Sequence, residues 1–246
     1  MLWRTAGATV TGSSHIADGS EGQDRFHIAT CGNRLVAVVA DGAGSARYAS
    51  EGATIAIGTL TEAFSEAILR KDCPLDECSL RALVAKSILA ARSEASEAAK
   101  RIGATLAEFN STIMGILTDA SGGLLFHIGD GAAAVVDIAG CAVISPPENG
   151  QFTSETFFYT EEEWLEHLRM TAFVAPSSVL LATDGAACFA FDDGYQRLCG
   201  KFFEPLGRAL KVASNGDDFL TGLLTRDDAV TASDDDKTLV WATLEP

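Results

Sequence analysis

Residues 35–40 (LVAVVA) form an unbroken apolar run rich in valine. That is the pattern of a strand covered on both faces, not of one that alternates between core and solvent. The run stops at Asp41-Gly42. Two more apolar runs, 123–129 (GLLFHIG) and 179–183 (VLLAT), stop the same way, at Asp130-Gly131 and Asp184-Gly185. Two others start just after acids: Asp24 precedes 25–30 (RFHIAT), and Asp234-Asp235-Asp236 precedes 238–244 (TLVWATL). Residues 1–11 predict a first strand, and 11–23, with Gly12, Gly19 and Gly22, predict a loop leading to Asp24.

After Ser45 the period changes. Ala53, Ala56, Ile57, Leu60, Phe64, Ala67 and Ile68 recur at helical spacing, and so do Leu80, Leu83, Val84, Ile88, Ala91, Ala95 and Ile102. Two long amphipathic helices are expected, separated by 71–78, where Pro74 and Asp76 give start signals for the second. Short strand-like runs follow at 111–117, 124–128, 132–138 and 142–145. With hairpin turns at 119–123 and at Asp130-Gly131, they read as a meander. Residues 146–171 interrupt it with Pro, Gly, aromatics and Glu161-Glu162-Glu163; the pattern suits a surface insertion with one short helix at 161–169. Two further helices are expected at 205–213 and 217–225. Strands, paired helices and more strands in this order predict α+β layering.

Composition narrows the class. A chain of 246 residues with 47% hydrophobic and 21% charged residues can bury a sizeable core, and no linker divides it, so one domain over 1–246 is expected. No run is long enough to span a membrane, and the start lacks a signal-like apolar stretch, which points to the cytoplasm. Six cysteines, Cys31, Cys73, Cys78, Cys141, Cys188 and Cys199, show no C-x-x-C spacing and read as reduced thiols. A net charge of −16 argues against binding a nucleic-acid backbone.

The acids at the strand ends carry the chemistry. In an antiparallel sheet the start of one strand lies beside the end of its neighbour, so Asp24, Asp41, Asp130, Asp184 and the acids at 234–236 can share one edge. Each alone is a turn residue. Together they would repel one another unless hard cations neutralise them, and Mg²⁺ or Mn²⁺ suits oxygen ligands of this kind. Shared carboxylates would hold two ions about 3.5–4 Å apart, an arrangement that activates water and clamps a phosphoryl group. No His/Cys spacing suggests zinc, and no twelve-residue calcium loop is present. The Gly42-x-Gly44 stretch lacks a third glycine, has Arg47 in its place, and carries Asp41 where a pyrophosphate would sit, so a dinucleotide loop is excluded.

Six ordered motifs then carry a family resemblance. Gln23-Asp24, Val39-Ala40-Asp41-Gly42-Ala43-Gly44-Ser45, Asn110-Ser111-Thr112, His127-Ile128-Gly129-Asp130, Leu181-Ala182-Thr183-Asp184-Gly185 and Asp235-Asp236-Lys237-Thr238 resemble those of the type 2C metal-dependent serine/threonine protein phosphatases. With Ser14-His15, the compact bacterial branch is the nearest match. The resemblance implies an α+β fold of two stacked antiparallel β-sheets flanked by helices, with a mobile flap within 146–171. It implies that Asp41 bridges two Mg²⁺ or Mn²⁺ ions, that the Gly42 carbonyl joins one, and that Asp184 and Asp235 hold the other. Asp130 with Asp184 would complete a third, weaker site, and Asp24 would orient water from behind. The implied reaction is direct attack of a metal-bridging water on phosphoserine or phosphothreonine in a protein, one phosphorylated by a cognate kinase.

Three positions depart from that pattern. Gln23 stands where many relatives carry a metal-binding glutamate. Ala43 stands where some place a histidine acid, so the leaving oxygen would take its proton from metal-bound water or from His15, a candidate proton donor or phosphate contact against the plain reading of a surface histidine. The phosphate-gripping arginine has no clear counterpart, and Arg4, Arg25 and Arg47 are candidates. Between Asp235 and Asp236, alignment with the family's metal-binding acid favours Asp235. Two other functions stay open: a weakly active or inactive regulatory module on the same fold, and a hydrolase of small phosphoesters using the same site.

Overall fold

The computed structural model describes residues 1–69, 76–150 and 156–245. Two five-stranded antiparallel sheets form its centre. The first has the order β1 (Leu2–Val10), β12 (Lys237–Glu245), β9 (Pro176–Ala182), β6 (Ala132–Asp137), β7 (Ala142–Ser145). The second runs β2 (Arg25–Cys31), β3 (Arg34–Ala40), β4 (Ile113–Thr118), β5 (Gly122–Ile128), β8 (Arg169–Val174). Between β1 and β2 lies α1 (Ser13–Asp18), a helical turn inside the stretch expected to be loop, ended by Gly19 in the left-handed conformation.

The unbroken apolar strands are covered on both sides, as their sequence requires. From β3, Leu35, Ala37 and Val39 point between the sheets, where they meet Ile116, Val179, Leu181 and Val240. Val36, Val38 and Ala40 point the other way, onto α2 (Ala49–Leu69) and α3 (Glu77–Ile102) through Ala53, Leu60, Phe64, Val84 and Ile88. The first sheet repeats the scheme: Leu180, Ala182, Leu239 and Trp241 pack outward. They meet α5 (Asp184–Ala190), α6 (Gly200–Val212) and α7 (Gly216–Leu224). Asp76 caps α3 by accepting from Ser79 N at 2.9 Å, as predicted, while Pro74 and most of the connection between the helices lie outside the described residues. Ile102, placed by periodicity on the apolar face, is 54% exposed beside the terminating Gly103.

Several sequence expectations are corrected. The strands after Ser111 are not one meander: β4 pairs with β5, but β6 pairs with β7 and β9 in the other sheet. Asp130-Gly131 is therefore a crossing between sheets and not a hairpin turn. A strand, β8, occupies the end of the supposed insertion, after the short helix α4 (Trp164–His167). It was hidden because, as an edge strand, it presents little core: Thr171, Ala172 and Val174 are exposed and Phe173 is buried. Helices α5 and α8 (Asp227–Ala232) were missed, being seven and six residues long and too short to show a period. Helix α6 starts five residues before the expected 205, with Pro205 inside it. A small hairpin, β10 (Phe191–Asp192) with β11 (Arg197–Leu198), joins α5 to α6.

Candidate metal centre

Antiparallel register gathers the acids. Arg25 pairs with Ala40, so Asp24, one residue before β2, lies beside Asp41, one residue after β3. Ala182 pairs with both Leu239 and Ala132, which brings together the end of β9 and the starts of β12 and β6. Asp184 opens α5, Asp235 precedes β12, and Asp130 lies two residues after β5 of the opposite sheet. The result is a cavity of about 380 Å³ lined by Asp41, Asp130, Asp184 and Asp235, with the 42–45 loop and Thr112 on one side and Thr156 and Phe158 on another. A larger groove of about 630 Å³ beside Arg197 and the start of α6 contains none of these acids.

Short-range bonds fix the acidic edge. Thr112 N donates to Asp41 O at 2.8 Å, and the Thr112 hydroxyl accepts from Asp41 N at 3.1 Å, while Ala43 N donates to Asn110 O at 3.0 Å. Residues 41–43 are thereby laid along the Asn110–Thr112 motif. Gly42 and Gly185 are required by close approach: a Cβ on Gly42 would stand 2.9 Å from the Ala49 main chain, and one on Gly185 only 2.1 Å from Asp236 O. Asp24 is 1% exposed, and its Oδ2 accepts from the hydroxyls of Thr183 at 2.8 Å and Thr238 at 2.7 Å. Both threonines stand within two residues of a strand-end acid in the sequence, Thr183 before Asp184 and Thr238 after Asp236, which is the local signal for their role. The Thr156 hydroxyl donates to Asp130 Oδ2, a contact that sequence spacing could not show.

The other candidates separate by direction. Asp236 faces away from the cavity, accepting from Gly12 N (2.6 Å), Gln23 N (2.5 Å) and His15 Nδ1 (3.0 Å). Burial pushes the Asp236 carboxyl up, but these bonds outweigh it and hold it below its ordinary value. Asp235 lines the cavity instead. His15 sits at the margin, its Nδ1 on Asp236 and a ring nitrogen within 4.8 Å of an Asp235 oxygen, and the Asp236 bond raises its pKa. Arg25 is turned onto Gly22 O and Asp24 O, each at 2.8 Å, and onto the Ser50 hydroxyl. Arg4 binds Leu210 O and Ala213 O at the end of α6. Arg47 is exposed just beyond the 42–45 loop, 5.2 Å from the Tyr48 ring centroid.

The electrostatics call for a cation. Burial pushes Asp184 up to about 7, reinforced by the charges of Asp130, Asp235 and Asp24. Burial likewise lifts Asp24 to about 7 against the pull of its two threonine bonds, and lifts Asp41 well above the carboxylate range with four neighbouring acids adding to it. Asp130 is raised chiefly by burial. Among the described residues no lysine or arginine lines the cavity; the Lys237 ammonium donates to the main-chain oxygen of Asp235 at 2.8 Å. Two buried oxygens beside the cavity, Asp24 Oδ1 and Gln23 Oε1, have no hydrogen-bond partner among the described residues. Crowded oxygen donors with orphaned neighbours suit hard divalent cations.

A family model described as protein phosphatase 2C matches residues 11–224. The chain belongs to the protein phosphatase 2C family. It is 30% identical to serine/threonine-protein phosphatase 3 of Escherichia coli (strain K12), over 98% of each chain. Among solved structures, the serine/threonine phosphatase Stp1 of Staphylococcus aureus superposes with a TM-score of 0.67 at 15% identity, over 100% of this chain and 96% of that one. The serine/threonine phosphatase PstP/Ppp of Mycobacterium tuberculosis gives 0.65 at 16% identity, over 100% of both. The stacked-sheet fold expected from the motifs is therefore the fold of this phosphatase, and its activity depends on metal. No helix among the described residues is long and apolar enough to cross a membrane.

Proposed function

We propose that this phosphatase removes phosphate from phosphoserine and phosphothreonine in proteins by using the acidic cavity to hold a pair of Mg²⁺ or Mn²⁺ ions. Asp41 would serve both ions, the Gly42 carbonyl one of them, and Asp184 and Asp235 the other, with Asp130 and Asp184 forming a weaker third site. Bound there, the ions would neutralise the carboxylates, acidify water and draw in a phosphoryl group that the bare acids repel. Asp24, whose Oδ2 is fixed by Thr183 and Thr238, would orient water among the acids through its other carboxylate oxygen. Ala43 has no proton to give, so His15, with its pKa raised by Asp236, is the side chain assigned to protonate the leaving oxygen. Arg47 is the arginine left to meet phosphate, because Arg4 and Arg25 are engaged elsewhere.

Residues 1–246 act as one domain, and of the stretch expected to carry a flap Thr156 and Phe158 line the site, while 151–155 lie outside the described residues. The phosphatase works in the cytoplasm on proteins phosphorylated by a cognate serine/threonine kinase. The observation that carries this reading is the convergence of Asp24, Asp41, Asp130, Asp184 and Asp235 at one end of both sheets. Its test is Mn²⁺-dependent phosphate release from a phosphothreonine peptide, with a chelator control and folded Asp41→Asn and Asp184→Asn variants. Release that needs metal and disappears in both variants is expected. A folded, metal-loaded wild type that releases nothing from several peptides would leave a binding module, and activity confined to a small phosphoester would leave a small-molecule hydrolase.

A further inference from the structure

One wall of the cavity is held by a polar chain that the phosphatase reading does not use. Thr156 and Phe158 line the cavity, and the residue between them stacks flat on His167, with ring centroids of Phe157 and His167 3.4 Å apart and planes 11° apart. His167 Nδ1 lies 3.0 Å from Glu148 Oε1. Glu148 Oε2 lies 3.2 Å from Arg169 Nε, an ion pair whose direction falls short of a hydrogen bond. Arg169 also donates to Pro146 O, to Gly129 O at 3.3 Å and to His127 Nδ1 at 2.9 Å. Glu148 N donates to the same Gly129 O at 2.9 Å.

The chain ends in the core. His127 on β5 is 0% exposed, and a guanidinium can only donate, so Nδ1 accepts and the neutral ring carries its proton on Nε2. Burial and the Arg169 charge both hold this histidine in its neutral form. The Ser145 hydroxyl, 3.0 Å from Nδ1, completes the anchor. A rigid strand is thus linked through Arg169, Glu148, His167 and Phe157 to the two residues that face the metal centre. Apolar side chains would pack this junction with less desolvation; charged partners of fixed direction define one arrangement of the wall.

We infer that Arg169, Glu148 and His167 are positioning residues that fix the Thr156–Phe158 wall, and that this wall holds the polypeptide flanking the phosphorylated side chain. The inference rests on the protein-phosphatase reading. A small phosphoester reaches only the acids, whereas a phosphopeptide must also lie against the wall. Disturbing the chain then weakens peptide binding without slowing phosphoryl chemistry.

The test uses Glu148→Gln, which keeps the size and removes the charge, and His167→Phe, which keeps the ring stack and removes the contact to Glu148. Each is assayed with saturating Mn²⁺ on a phosphothreonine peptide and on p-nitrophenyl phosphate, and amide hydrogen exchange is followed over 156–158. The expected result is a KM for the peptide raised about tenfold, kcat on the small ester within about twofold of wild type, and faster exchange at 156–158 with the rest of the fold unchanged. An unchanged peptide KM, or equal losses on both substrates, overturns the inference. So does unchanged exchange at 156–158, whatever the activity. A wild type inactive on both substrates, with exchange accelerated in the variants, overturns the phosphatase reading instead and leaves the polar chain positioning the wall.

Discussion

At Asp41 the fold concentrates an unfavourable charge: burial and four neighbouring acids disfavour its carboxylate. Under the proposed function, removing that charge should stabilise the metal-free protein and abolish metal-dependent activity. Asp41→Asn is therefore expected to raise the melting temperature at pH 8 with chelator by several degrees and to lower Mn²⁺-dependent phosphate release about a hundredfold or more. A lower melting temperature in the variant would show that Asp41 is stabilised by contacts not accounted for. Adjacent residues at 235 and 236 are predicted to differ in kind. Asp235→Asn, facing the cavity, should raise the Mn²⁺ concentration for half-maximal activity about tenfold. Asp236→Asn should leave that requirement within about threefold and lower stability by about 1–3 kcal/mol, because Gly12 N and Gln23 N lose a charged acceptor. Metal titrations with both variants, and their urea midpoints, check the pair. The two acids differ in direction: Asp235 lines the cavity, whereas Asp236 accepts from Gly12 N and Gln23 N, more than two hundred positions away.

At the scale of the element, the segment 156–169 shows how far local patterns reach. Its short helix was legible near 161–169, and the structure places it at Trp164–His167. Its anchoring was not legible, because it depends on partners remote in sequence. Tyr159 is fully buried, donates its hydroxyl to Gly52 O on α2 at 2.9 Å and its N–H to Ser111 O at 3.1 Å. Arg92 on α3 donates to Tyr159 O and Glu161 O, and the Thr160 hydroxyl donates to Asn110 Oδ1 at 2.6 Å. Tyr159→Phe, which leaves Gly52 O without that donor, should lower stability by about 1–2 kcal/mol in urea melts with little effect on kcat for a small phosphoester. A neutral result would mean that water or another donor replaces the hydroxyl. The long helices and the both-face strands were readable because their periods are repeated many times. The edge strand β8 and the short α5 offered too few repeats to distinguish them from loop.

Across the whole molecule, metal and stability are linked through the acids. Asp24 and Asp184 titrate near 7 in the metal-free fold against 3.8 when unperturbed. Between those values the folded state keeps protons that the unfolded chain releases, so the metal-free protein should lose stability as pH rises from about 4 toward 7. Cations that bind only the folded state reverse the trend above that range. His127, with a pKa held well below 6.5, has the opposite slope on the acid side, but it is common to both states of loading and cancels in their difference. Melting temperatures from pH 5 to 8, with chelator and with Mn²⁺, should therefore diverge as pH rises. Parallel curves would separate the acids from metal binding.

The sequence by itself determined the strands buried on both faces, the two long helices, and the acids at strand ends, because each is written in short-range period or adjacency. The ordered motifs determined the family. Tertiary structure alone decided that Asp130-Gly131 crosses between sheets, since the same dipeptide suits a hairpin or a crossing and only the pairing of β6 with β9 distinguishes them. It also decided which charged groups are free for chemistry. Arg4 and Arg25 are consumed by main-chain carbonyls, Asp236 by backbone N–H groups, and Thr156 is brought to Asp130. Side-chain direction at such positions is set by partners tens to hundreds of residues away, and no local pattern encodes it.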